Sequence, residues 1–199
     1  MPVTTQLGDA EAIELSWNEP EAFAAVFDRH AAEIHRYVTR RLGHSAADDV
    51  VGETFLAAFR RRKKYDLSRA DARPWLYGIA SNLIGRHRRA EVRLYRALAR
   101  SGADPVVDSG GSITEQVESR VAAAAVEREL AVALSGLSRG DRDVLLLYAW
   151  ADLPYDEIAT APGIPLGTVR SRLHRARRKV REALGGTNPV TNQEEPSNG

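Results

Sequence analysis

The stretch Gly163-Ile-Pro-Leu-Gly-Thr-Val-Arg-Ser-Arg-Leu-His-Arg-Ala-Arg-Arg-Lys-Val180 decides how this chain is read. Val169, Leu173, Ala176 and Val180 recur at three- and four-residue steps, which puts them on one face of a helix. Arg170, Ser171, His174, Arg175 and Arg178 fall on the other face. A helix that buries one stripe and offers guanidinium and short polar groups suits a DNA major groove, where arginine pairs bidentately with guanine and further cations meet phosphate. A basic helix taken alone is equally a solvated face on a core helix. The residues before it decide. Tyr155–Ala159 can form a short helix with Pro154 at its start, and Pro162-Gly163-Ile164-Pro165 then breaks the chain. Short helix, glycine-containing turn, second helix: this is the helix-turn-helix pattern. A third helix over about 138–150 supports the pair, with Ser138 and Asp141 as a capping box and Val144, Leu145, Leu147 and Tyr148 as apolar positions. On the second helix, Ser171, His174 and Arg175 are the candidates for base edges. Arg170, Arg172, Arg178 and Thr168 are the candidates for phosphate.

The first half also reads as helices. Asn18 with Glu21 forms an expected capping box ahead of Phe23, Val26, Phe27, Ile34, Tyr37, Val38 and Leu42, and Gly43 closes that helix. Ser45 with Asp48 forms another ahead of Val51, Phe55, Ala58 and Phe59. A loop over about 61–72 follows, and Pro74 opens a third helix through Trp75, Leu76, Ile79, Leu83 and Ile84 toward Arg100. No alternating strand pattern occurs in either half. The expected fold is all-α: two small helical domains joined by a flexible linker. The boundaries are a tail over 1–17, a domain over 18–100, a Gly/Asp/Ser/Pro-rich linker over 101–116, a second domain over 117–184 and a disordered tail over 185–199.

The net charge of the 199-residue chain is only +1, yet it is unevenly spread. Residues 1–59 carry an acidic excess, 60–100 are basic, 101–163 acidic and 164–181 basic. Two basic blocks fit a protein that touches a polyanion at two places. The chain has no cysteine, which excludes disulfides, cysteine zinc sites and thiol redox chemistry within it. It lacks a membrane-spanning apolar run and a signal-peptide pattern at Met1-Pro2-Val3-Thr4, so a cytoplasmic chain without membrane insertion is expected. No nucleophile–base pair is evident, and the acids Asp48, Asp49 and Glu53 near His44 lack a second histidine or acid at ligand spacing. The expectation is a protein that is not an enzyme and holds no metal or other cofactor.

The run Arg60-Arg61-Arg62-Lys63-Lys64 ends in Tyr65. Cations beside an aromatic suit single-stranded DNA, with phosphates neutralised and an unpaired base stacked. For Trp75 the spacing favours packing. For Lys63, Lys64 and Tyr65 it favours DNA. Arg86, Arg88 and Arg89 continue the third helix as phosphate contacts or as its solvated end.

Two separate stretches carry a resemblance. Asp141-Arg142-Asp143-Val144-Leu145, Glu157-Ile158-Ala159 and Gly167–Arg177 resemble domain 4 of bacterial sigma factors, most closely the extracytoplasmic-function group. Asp48-Asp49-Val50-Val51-Gly52-Glu53-Thr54-Phe55 and Pro74–Leu83 resemble the core of sigma domain 2. The matches stand in the family's order and span nearly all of residues 20–185. The resemblance implies a transcription initiation factor that binds core RNA polymerase and opens promoter DNA. It places Asp48, Asp49, Glu53, Thr54 and Phe55 on the β′ clamp helices and implies the β flap as a further polymerase surface. It assigns Lys63, Lys64, Tyr65, Asn82, Arg86, Arg88 and Arg89 to the −10 element, and Thr168, Arg170, Ser171, Arg172, His174, Arg175 and Arg178 to the −35 element. An anti-sigma factor that wedges between the domains is a further implied partner. Two departures are present: Pro162 stands where the family has leucine, and Pro154 where it has a serine cap. The alternatives are a helix-turn-helix regulator acting without polymerase, or an interaction protein that binds polymerase without initiating.

Overall fold

The computed structural model describes residues 7–101 and 115–185, with side chains described over 7–100 and 125–185. Every regular element among the described residues is helical. In chain order they are α1 (Asp9–Leu15), α2 (Ala24–Leu42), α3 (His44–Arg61), α4 (Arg73–Arg86), α5 (Arg88–Ser101), α6 (Glu115–Gly136), α7 (Arg139–Trp150), α8 (Tyr155–Thr160) and α9 (Leu166–Ala183). Short 3-10 turns occupy Pro20–Phe23 and Arg62–Lys64. Most of the expected linker and the expected C-terminal tail lie outside the described residues.

Three expectations are corrected. The assigned N-terminal tail contains α1, whose Ala12 and Ile13 are buried. Its seven residues are too few to show a period. They are anchored by tertiary bonds: Asp9 accepts from the Ala72 backbone N–H at 2.8 Å and from the Arg29 guanidinium, and pairs with His30 Nε2 at 2.7 Å. The long third helix is broken at His87, where φ is −91° and ψ is 17°. The His87 carbonyl then accepts the first N–H groups of α5, from Ala90 and Glu91. This bend lets Leu83 and Ile84 face the first-half core while Glu91 and Tyr95 turn toward the second half. Two capping boxes are also not formed. The turn at Pro20 begins from Glu19, and α3 begins at His44 from Gly43, neither with a side-chain cap. Gly43, at φ 81° and ψ 169°, turns the chain directly from one helix into the next. The third box is half present, since Ser138 Oγ accepts from the Asp141 N–H at 3.2 Å.

The helix-turn-helix turn is closed by backbone hydrogen bonds with Pro162 in place. Gly163, at φ 66°, donates its N–H to Thr160 O at 3.1 Å, and Ile164 donates to Ala159 O at 2.9 Å. These bonds close the end of α8 in a Schellman-like turn, with Pro162 one residue past the C-cap Ala161, where proline commonly follows a helix. Ile158, fully buried, supplies the apolar anchor.

The two helical units are in contact with each other among the described residues. α5 packs along α6, and α4 packs against both α7 and α8. At the centre of this interface lie four charges. Glu91 receives Arg41 at 2.7 Å and Arg142 at 2.8 Å, and Arg41 also reaches Asp143 at 2.7 Å. Arg41, Glu91 and Arg142 are essentially inaccessible to solvent. Buried charges survive only when paired and fully hydrogen-bonded, and Arg142 donates in addition to the carbonyls of Leu134 and Leu137. Burial alone would lower the Arg41 pKa, but Tyr37, Asp143 and Glu91 hold it well above the usual arginine value. Outside the ion network, Arg73 donates to the Ala151 carbonyl at 2.7 Å, capping the C-terminal end of α7.

Candidate nucleic-acid interface

The second unit presents α9 outward. Val169, Leu173 and Ala176 are buried against the rest of the unit, as the period requires. Helix α9 carries six arginines and a lysine against one glutamate. Arg170, Ser171, His174, Arg175 and Arg178 are all exposed, and Thr168 is half-buried. Arg170, His174, Arg177 and Arg178 share one concavity with Tyr155 of α8. Sequence reasoning missed Arg177 and Tyr155. The Arg177 guanidinium lies 4.6 Å from the Tyr148 ring, and Tyr148 meets Tyr155 edge-on at 5.7 Å. The signal was Arg177 three residues after His174, a spacing that puts both on one face.

Two α9 arginines are placed differently from the rest. Arg175 pairs with Asp141 at 2.9 Å and braces α9 against the start of α7. That pairing, with burial opposing it, keeps the Asp141 carboxyl below the usual range. Arg172 lies over Gly140, where a Cβ would fall 2.7 Å from its guanidinium. It therefore packs toward α7 rather than standing with the exposed row.

The first-half candidates divide likewise. Asp48, Asp49 and Glu53 are exposed on α3, with Asp48 3.1 Å from His35. Thr54 and Phe55 are buried. Thr54 bonds the Val50 carbonyl at 2.7 Å, and Phe55 meets Phe27 edge-on at 4.9 Å. Both hold α3 in place, while their exposed neighbours Leu56 and Phe27 present the apolar surface beside the acids. Lys63, Lys64, Arg86, Arg88 and Arg89 are exposed. Tyr65 is not available to a base in this arrangement. It is buried, donates to the Arg69 carbonyl at 2.7 Å and leans on Trp75 at 5.0 Å, because the loop's one large aromatic is needed to seat it on α4. Burial also pushes its hydroxyl pKa upward. Asn82 is exposed, with its Oδ1 3.3 Å from Arg139 of the second half.

A further charged cluster was not foreseen. Asp9, His30 and Asp71 offer ligand atoms within 4.8 Å of one another. The donors there are already engaged: His30 bonds Asp9 and Glu33, each at 2.7 Å, and Asp9 holds Arg29 and the Ala72 N–H. Burial alone would lower the His30 pKa, yet the two carboxylates raise it to about 9. A protonated imidazole occupies the space between the acids, so the cluster clamps α1 and α2 to the start of α4.

A helical unit with exposed acids on α3, beside a helix-turn-helix unit with an outward basic helix, fits a DNA-binding protein with a second docking surface. Residues 26–99 match the Sigma-70 region 2 family and residues 127–180 the Sigma-70, region 4 family. The chain is 35% identical over 167 residues to the ECF RNA polymerase sigma factor SigL of Mycobacterium tuberculosis, covering 83% of this chain and 90% of the relative. It is 29% identical to the ECF RNA polymerase sigma factor SigW of Bacillus subtilis, with 83% and 90% covered. In fold it resembles CnrH, solved in complex with the cytosolic domain of CnrY, at a TM-score of 0.60 and 22% identity over 90% of this chain and 99% of that one. It also resembles the sigma factor RpoE of Bartonella quintana, solved with the anti-sigma factor NepR, at a TM-score of 0.56 and 20% identity, over 84% and 99%. The chain belongs to the extracytoplasmic-function family of RNA polymerase sigma factors. It is a promoter-specific transcription initiation factor, and sigma factors are regulators rather than catalysts. A helix-turn-helix regulator acting alone would leave the region 2 match unexplained. No described helix is long and apolar enough to cross a membrane.

Proposed function

We propose that this chain joins core RNA polymerase through α3, reads a −35 element with α9 and opens the −10 element against the α4–α5 surface. The observation that carries the reading is one chain presenting both an exposed acidic α3 and an outward basic α9. Asp48, Asp49, Glu53 and Leu56 of α3, with the exposed Phe27 of α2, suit the β′ clamp helices. On α9, Ser171 and His174 are placed to meet base edges, while Arg170, Arg177 and Arg178 neutralise phosphate beside them. Arg175 and Arg172 support that helix from behind. In the first unit, Lys63, Lys64, Arg86, Arg88 and Arg89 hold strand phosphates and Asn82 offers an amide to an unstacked base. Tyr65 seats the loop that carries the two lysines. The second unit also forms a surface against which an anti-sigma factor could compete, and action at the nucleoid follows from polymerase binding.

Run-off transcription tests this reading. Core polymerase supplemented with the protein and fragmented source DNA should give discrete transcripts that start downstream of a shared bipartite motif. Co-purification with polymerase but no transcripts would favour a non-initiating binder. Loss of both would return the chain to a free DNA-binding regulator.

A further inference from the structure

The loop between α3 and α4 carries Lys63 and Lys64, and it enters and leaves against the same short helix. At its entry, Arg62 stands in the middle of the run Arg60-Arg61-Arg62-Lys63-Lys64, yet unlike its exposed neighbours it is half-buried. Its Nε donates to the Ser16 carbonyl at 3.1 Å and its Nη1 to the Phe59 carbonyl at 2.8 Å, and its guanidinium lies 3.9 Å from the Phe59 ring centroid. Ser16 is the C-cap of α1, and Phe59 lies in the last turn of α3. One guanidinium therefore closes two helix C-termini, where unpaired carbonyls and the dipole favour a cation. The Arg62 carbonyl in turn accepts from the Tyr65 N–H at 3.1 Å and from Trp17 Nε1 at 3.4 Å. At the loop's exit, Ala72 is the N-cap of α4, is fully buried and donates its N–H to Asp9 Oδ2 at 2.8 Å. Asp9 is the first residue of α1, so the two ends of one seven-residue helix hold the two ends of the loop.

We propose that α1 is a strut for promoter opening: by fixing Arg62 and Ala72 at a set span, it determines where Lys63 and Lys64 meet the parted strand. The proposal rests on the assignment of those two lysines to strand phosphates. Arg62, Lys63 and Lys64 form one 3-10 turn, in which successive side chains stand about 120° apart. With Arg62 held inward, the two lysines are directed outward, and both are exposed. Released at either end, the loop would regain conformational freedom, and strand affinity would fall by the fraction of chains that hold the binding arrangement. Asp9, Ser16, Trp17 and Arg62 are thus positioning residues, and Arg62 is set apart from the DNA-facing cations of its own run.

The test uses the full-length chain with core polymerase on a promoter recovered by run-off transcription. Two affinities are measured: for the duplex in the cold, where it stays closed, and for the single non-template strand of the −10 element. Asp9→Asn keeps the side chain's size while weakening its hold on Ala72, and Arg62→Met keeps the stem packed on Phe59 while removing the donors. Both should leave duplex affinity within about twofold and lower strand affinity by about tenfold. In a chain that also carries Lys63→Ala and Lys64→Ala, neither should lower strand affinity further, because the strut acts through those lysines. Unchanged strand affinity in both variants, with the lysine pair effective, overturns the strut and leaves the lysine assignment standing. An equal loss in the chain without the lysines overturns it as well, since α1 would then only support the fold. A loss from Arg62→Met alone makes Arg62 a DNA contact like its neighbours and also overturns the strut. No loss from the lysine pair itself removes the assignment beneath the proposal. If either variant does not fold, Trp17→Phe, which removes only the Nε1 donor, decides alone, with a loss of about threefold expected.

Discussion

Helices α9 and α4 face opposite fates in the same chain. Both belong to units that meet DNA in this family, but α9 buries one stripe while α4 is buried on most of its sides. Helix α9 leaves its other face open, cationic and hydrated. Helix α4 meets the second unit at Gly78, on which the Ala161 carbonyl is seated, while Asn82 stays exposed beside Arg139. Duplex phosphates can be neutralised by an open face at little conformational cost. An unstacked base needs a shaped, dry surface.

The largest effect is expected at the charge network between the units. Glu91→Gln leaves Arg41 and Arg142 buried with a weakened acceptor and should cost about 3–5 kcal/mol in urea unfolding. A loss below about 1 kcal/mol would mean that water already reaches the network, and the contrast between an open and a buried helix would weaken. Next comes the clamp at the start of α4. The His30 pKa is raised from 6.5 to about 9, so its contribution is fully present below pH 6.5 and is lost as pH rises through 9. Stability should fall by on the order of 2–3 kcal/mol between pH 7 and 10, while His30→Gln shows a flatter profile. Binding of duplex by α9 should not follow that change. On the open side, His174→Ala should lower holoenzyme affinity for a recovered promoter by about 1–3 kcal/mol, with a smaller loss on random duplex. Equal losses would make His174 a phosphate neighbour. The smallest effect is expected at Arg175→Ala. Its partly exposed pair with Asp141 is worth less than about 1 kcal/mol of stability, and the loss of DNA affinity should be even across sequences.

Much of this was legible in the sequence, for reasons that differ by residue. The α9 stripe follows directly from the period of Val169, Leu173 and Ala176, and Ser138 caps α7 as its spacing with Asp141 implies. Gly163 ends α8 through its own backbone freedom. These are local features, so a sequence states them. The clamp at Asp9 and the network at Glu91 join residues far apart in the chain, and no periodicity encodes them. Tyr65 shows the same limit. Cations beside a tyrosine look alike whether the ring turns toward a base or toward Trp75, and packing decided it. Thr54 and Phe55 are buried while Asp48, Asp49 and Glu53 are exposed, because a motif that is continuous in sequence is divided between two faces by the 3.6-residue turn of a helix. The contact of α4 with the second unit did leave a trace: Gly78 and Gly85, two turns apart, on a helix with too many apolar residues for one core.

Footprinting of the holoenzyme on a promoter recovered by run-off transcription tests the central claim most directly. Hydroxyl-radical protection should fall in two patches, an upstream duplex patch lost in a variant that carries both Arg170→Ala and His174→Ala and a downstream patch weakened by Asn82→Ala. Permanganate-reactive thymines should appear only in the downstream patch. A single upstream patch over an unmelted duplex, unchanged by Asn82→Ala, would contradict the division of promoter reading between α9 and α4.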